Sequence, residues 1–108
     1  MSDYPDDEEL TLIKEWPFPK YDELIEYLQS SFWMPDWCIT VKGKHVLRVY
    51  ISTGGWSGNE DRIRALRENF QFWSACWRVH RTGGHYEFRI EIRRYREQAK
   101  NSPRKKAR

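Results

Sequence analysis

Residues 86–92, Tyr-Glu-Phe-Arg-Ile-Glu-Ile, alternate large apolar and charged side chains without a break. A period of two marks a strand with one dry face and one wet face. It sends Tyr86, Phe88, Ile90 and Ile92 inward and Glu87, Arg89 and Glu91 outward. A sheet that is apolar on one side must be covered on that side, so the chain needs amphipathic helices to lie on it.

Other segments supply both the strands and the cover. Residues 37–41 alternate Trp37, Ile39 and Val41 against Cys38 and Thr40; residues 46–52 alternate Leu47, Val49 and Ile51 against Arg48 and Tyr50. A Lys-Gly-Lys-His turn joins them, which predicts a hairpin. Residues 72–79 place Trp73, Ala75, Trp77 and Val79 on one face and turn through 80–85 into the last strand. Tyr21, Leu24, Ile25, Leu28 and Phe32 recur at helical spacing and predict a helix over 20–32. Ile63, Leu66 and Phe70 predict a second over about 59–70, capped by Ser57, in capping-box register with Glu60, or by Asn59. The expected fold is α+β: a two-layer sandwich of order α-β-β-α-β-β, with a four-stranded, mostly antiparallel sheet covered on one face by two helices. The bare face would carry Cys38, Thr40, Arg48, Tyr50, Ser74, Cys76, Arg78, Arg89 and Arg93, with Glu87 and Glu91 as counterweights.

A chain of 108 residues is one domain. Its charge is unevenly placed: residues 1–9 hold five acids and no base, whereas residues 93–108 hold eight bases and one acid. This divides the chain into an acidic flexible arm over 1–15, a single α+β domain over 16–93 and a basic tail over 94–108. No apolar run approaches the roughly 18 residues of a membrane helix, and the acidic start lacks signal-peptide order, so a cytoplasmic protein is expected. Cys38 and Cys76 are expected as free thiols. A monomer or homodimer fits, and no cofactor is expected.

Residues 51–61, Ile-Ser-Thr-Gly-Gly-Trp-Ser-Gly-Asn-Glu-Asp, link strand to helix through three glycines. Free N–H groups at such a junction can cradle an anion. Here the order lacks the phosphate-loop lysine, and Glu60 and Asp61 would repel a nucleotide from the first helical turn. Glycines that permit positive φ explain the turn without a ligand, but they leave Trp56 unexplained. A display loop is therefore expected, with Ser52, Thr53, Gly54, Gly55, Trp56, Ser57, Gly58 and Asn59 meeting a protein partner. The aromatic surplus supports it: Trp16, Phe18, Trp33 and Trp37 also fall near loops or element ends.

Chemistry is less well represented. Cys76, His80 and His85 come near one another across the 80–85 turn, but the spacing matches no familiar zinc motif, so no metal is expected. No nucleophile, base and oxyanion donor converge, and the chain reads as a binding protein, not an enzyme. Nucleic acid is the alternative partner. Arg48, Arg78 and Arg89 on the bare sheet, with Arg93, Arg94, Arg96, Lys100, Arg104, Lys105, Lys106 and Arg108 along the tail, form a basic footprint, and Tyr50 offers a ring for stacking.

The Ser-Thr-Gly-Gly-Trp-Ser-Gly-Asn-Glu-Asp run, Phe72–Trp73, Trp77 and Gly-Gly-His-Tyr-Glu-Phe at 83–88 resemble a small family of uncharacterised bacteriophage and prophage proteins. The resemblance covers roughly residues 46–90. It implies a viral accessory protein working in the host cytoplasm, and it implies no particular chemistry.

Overall fold

The structure, a computed structural model, describes residues 4–100. In chain order it builds α1 (Asp7–Lys14), α2 (Tyr21–Ser31), the single turn α3 (Pro35–Cys38), β1 (Ile39–Lys42) and β2 (Val46–Ser52). Then come α4 (Ser57–Glu68), α5 (Phe70–Cys76), β3 (Trp77–Arg81), β4 (His85–Glu91) and α6 (Ile92–Lys100). The four strands form one antiparallel sheet in the order β1-β2-β4-β3. Each helix-hairpin unit thus contributes its second strand to the middle of the sheet. The fold is α+β, as the alternation required. Among the described residues no helix is long and apolar enough to cross a membrane.

Packing follows the two periodicities. Ile39, Val49, Ile51, Phe88 and Ile90 turn their side chains to one side of the sheet and are buried. Leu24, Ile25 and Leu28 from α2 and Ile63 and Leu66 from α4 close over them. Complete burial of a side chain of this size contributes about 1.5–3 kcal/mol.

Several expectations are corrected. Residues 7–14, expected within a loose arm, form α1. Asp6 caps it by accepting a hydrogen bond from the Glu9 amide at 2.8 Å, and three acids in the first turn suit the positive end of the helix dipole. A single apolar residue, Ile13, is fully buried and anchors the helix; so narrow a stripe gives almost no periodic signal. Residues 70–76, expected mostly as strand, form α5. Asn69 ends α4 and starts α5, its side chain accepting from the Phe72 amide at 3.2 Å while its Nδ2 donates to the carbonyls of Ile13 and Trp16 at 3.0 and 3.1 Å. Phe72 and Cys76 are then buried one helical turn apart, and Ser74 and Cys76 leave the sheet face.

Trp37 does not point into the core. Pro35 opens the turn α3, which buries Cys38 and leaves Trp37 75% exposed. Residues 94–100, expected as tail, belong to α6, where Tyr95 and Ala99 are buried and Nη2 of Arg96 donates to both carboxylate oxygens of Asp22 at 2.9 Å. Arg104, Lys105, Lys106 and Arg108 lie outside the described residues.

If α1 is part of the core, Ile13→Ala will destabilise the protein by about 2–5 kcal/mol. Urea unfolding measures this; a loosely attached arm would leave the midpoint unchanged.

Candidate functional site

The glycine loop is clasped on every side. Gly54 and Gly55 adopt positive φ of 65° and 74°. The Thr53 amide donates to the Gly84 carbonyl at 3.0 Å, tying this loop to the β3–β4 turn. Gly84 itself has φ +80°, and a Cβ there would lie 2.4 Å from Thr53 Oγ1, so both Thr-Gly-Gly segments depend on the same close approach. Thr53 Oγ1 accepts from the Gly55 amide at 3.3 Å and donates to Glu60 at 3.4 Å.

Asn59 is not a cap: Trp56 holds the cap position of α4, and no side chain bonds the helix end there. Asn59 is instead fully buried. Its Oδ1 accepts from the Trp33 amide at 3.0 Å and from Arg62 at 3.1 Å; its Nδ2 donates to the carbonyls of Trp33 and Thr53 at 3.1 and 3.3 Å. All four hydrogen-bonding positions of the amide are used. Arg62, only 2% exposed, completes its pairing with Glu9 of α1 at 2.8 Å.

This arrangement decides the position of Trp56. Its indole stacks on Trp33 at 4.8 Å and on Tyr4 at 5.7 Å, and its ring nitrogen is buried without a hydrogen-bond partner among the described residues. The ring is half-buried and stacked between two others. Ser52 to Asn59 act together as a structural clasp. Of the other loop aromatics, Trp16, Phe18 and Trp33 are partly buried, and Trp37 alone stands well exposed.

The bare sheet face is different. Arg48 sits directly opposite Lys42 on β1 and directly opposite Arg89 on β4, so three cations share one row. All three are exposed, and none has an ion-pair partner among the described residues. On the edge strand the register shifts between Trp77 and Val79, and the irregularity turns Arg78 into the same cleft. That cleft, of about 230 Å³, lies between Arg48, Tyr50, Arg78, Glu87 and Arg89. Adjacent strands are about 4.8 Å apart, so the four bases span about 14 Å.

The next row carries Tyr50, which is 37% exposed and lies 5.8 Å from the Lys42 ammonium. Glu87 beside it is neutralised by Arg81. At the end of the face, Trp37 and Tyr50 line a second cleft of about 260 Å³ with Ser52 and His85. Of the expected contacts, the structure therefore brings Arg48, Arg78 and Arg89 together. Arg93, Arg94 and Arg96 lie on α6, with Arg94 paired to Glu91 and Arg93 beside Asp22 and Lys44; Lys100 ends that helix. Lys42 was missed, because it lies next to a turn; Trp37 was named among the loop-end aromatics but also placed inward by the strand pattern, out of which only the Pro35-Asp36 helix-start signal could have lifted it.

The thiols are sequestered. Cys76 is fully buried with its Sγ 3.8 Å from the Tyr95 hydroxyl, and burial pushes the thiol up to about 12. Burial also raises Cys38. A thiolate is the reactive form, so neither cysteine is primed as a nucleophile. His80 stacks on Tyr86 at 4.3 Å, and among the described residues no group of three His, Cys, Asp or Glu could hold a metal ion.

No family model, curated protein or solved structure matches this chain.

Two outcomes follow from the clasp and the buried thiol. Asn59→Ala leaves three buried backbone groups unpaired and takes one of the two partners from the Arg62 guanidinium, which keeps Glu9, so a loss of about 1–3 kcal/mol is expected in urea unfolding. A loop that served only to display Trp56 would tolerate the change. Burial also raises Tyr95 to about 12, so the folded state holds protons that the unfolded chain releases. The raised thiol value means that this stability is fully present below about pH 9 and is lost as pH rises toward 12. Across that window Cys76→Ala should lose stability less steeply than the parent.

Proposed function

We propose that this chain is a binding protein that takes an unpaired segment of nucleic acid across its bare sheet face. The observation that carries the reading is the row of Lys42, Arg48 and Arg89, opposed across neighbouring strands and with no ion-pair partner among the described residues. Like charges facing one another across strands cost stability, so the fold gains nothing from this row. A polyanion would neutralise it and release counterions. Tyr50 and Trp37 lie alongside, giving rings on which bases can stack. Residues 101–108 add four bases and no acid to the available charge. In the phage or prophage setting implied by the resemblance, such a protein would act by occupying nucleic acid and would carry out no catalysis.

Fluorescence anisotropy with labelled single-stranded and duplex oligonucleotides at two salt concentrations tests this. Single strands should bind more tightly than duplex. Arg48→Gln with Arg89→Gln should weaken binding roughly tenfold or more and lower the salt slope by about 1.4. Tyr50→Ala should cost about 1–3 kcal/mol. The same arginine changes should leave the thermal midpoint equal or higher, because they relieve repulsion. Binding that ignores all three changes, or no binding at either salt concentration, overturns the proposal.

A further inference from the structure

The helical side of the molecule carries the opposite charge. Residues 4–38 hold nine acids and two bases, whereas residues 39–100 hold thirteen bases and six acids. Within the acidic part, α1 and the segment leading into α2 enclose an open groove of about 750 Å³. Its apolar floor is Leu12, Trp16 and Pro17. Leu12 is 47% exposed and presents its side chain to that groove. The Trp16 ring is fixed: its indole N–H donates to the Lys20 carbonyl at 2.8 Å, and it packs on Tyr27 at 5.4 Å. The groove therefore cannot close simply by turning that ring inward.

Asp7, Glu8, Glu15 and Glu23 line its rim, with Lys20 as the only base among them. None of these carboxylates has an ion-pair partner among the described residues. Asp7, Glu8 and Glu23 gain something from the first turns of their helices. Glu15 does not, because it caps the negative end of α1, where its own helix repels it. An incoming cation would relieve that repulsion.

We propose that this groove docks a basic, amphipathic peptide segment of a partner protein. Apolar side chains of the segment rest on Leu12 and Trp16, and its Lys and Arg side chains meet the carboxylate rim. Charge complementarity selects this occupant. The same rim repels nucleic acid, so the groove is distinct in ligand class from the sheet face and does not depend on it.

The probe is a synthetic helical peptide with leucine on one face and lysine on the other, titrated into isotope-labelled full chain and followed by amide and indole NMR shifts. Oligolysine of equal charge is the control. Saturable shifts at Asp7, Thr11, Leu12, Glu15 and the Trp16 indole are expected. Leu12→Ala should weaken binding about fivefold, and Glu8→Gln with Glu15→Gln at least tenfold, with unchanged thermal midpoints. Equal binding of oligolysine, shifts confined to other residues, or no saturation overturns the proposal. So do two other occupants. Shifts at these resonances on truncation after Lys100 would mean that the chain's own residues 101–108 fill the groove. Concentration-dependent shifts without peptide would mean that a second copy does. Neither result bears on oligonucleotide binding by the sheet, so failure of one proposal is separable from failure of the other.

Discussion

One buried amide holds this protein in register. Asn59 links α4 to the Trp33 backbone, to the glycine loop and to Arg62, and Arg62 passes the connection to Glu9 on α1. A guanidinium that is only 2% exposed is costly unless it is paired and hydrogen-bonded. Its partner comes from the first helix, so α1 has to dock before the centre of the molecule is satisfied. Docked α1 then encloses the groove against Trp16. The clasp also fixes Thr53 against Gly84, which aligns the end of β2 with the turn that feeds β4. A polar interaction near the middle of the chain thus reaches both candidate binding surfaces, although it lines neither of them.

Much of this was legible in the sequence, and the misses have physical causes. The α2 stripe, the β1–β2 hairpin and the alternation of β4 were readable because each buries a full face. The segment 70–76 was misread because Trp73, Ala75, Trp77 and Val79 alternate as an inward strand face would, whereas the side chains buried in α5 are Phe72 and Cys76, one helical turn apart. Only the cap supplied by Asn69 separates the readings, and its carbonyl partners lie more than 50 residues away. Trp56 was misread for a related reason. A tryptophan between glycines looks displayed when only local neighbours are considered; Trp33 and Tyr4, which clasp it, are distant in sequence. The basic sheet face was legible in part, since alternation already put Arg48 and Arg89 outward. What the sequence could not supply was their register, and it is the register that turns scattered arginines into a row.

The two surfaces impose opposite demands on one small fold. Opposed cations on β1, β2 and β4 repel one another, and Glu15 sits at the wrong end of its helix; each costs the isolated protein some stability. Neither cost is forced by the fold, because neutral residues would fit the same exposed positions. The two strained charge sets also differ in sign and occupy different layers, one on the bare sheet and one on the helices. At physiological ionic strength exposed charges are screened beyond about 8 Å. The molecule measures 22 Å across even its shortest axis. Partners on the two layers would therefore feel little of each other's charge, and what couples them is mechanical. The path runs from Glu9 through Arg62 and Asn59 to Thr53 and the β3–β4 turn. Loosening Asn59 should then disturb both surfaces together, whereas changes at Arg89 or Leu12 should each remain local.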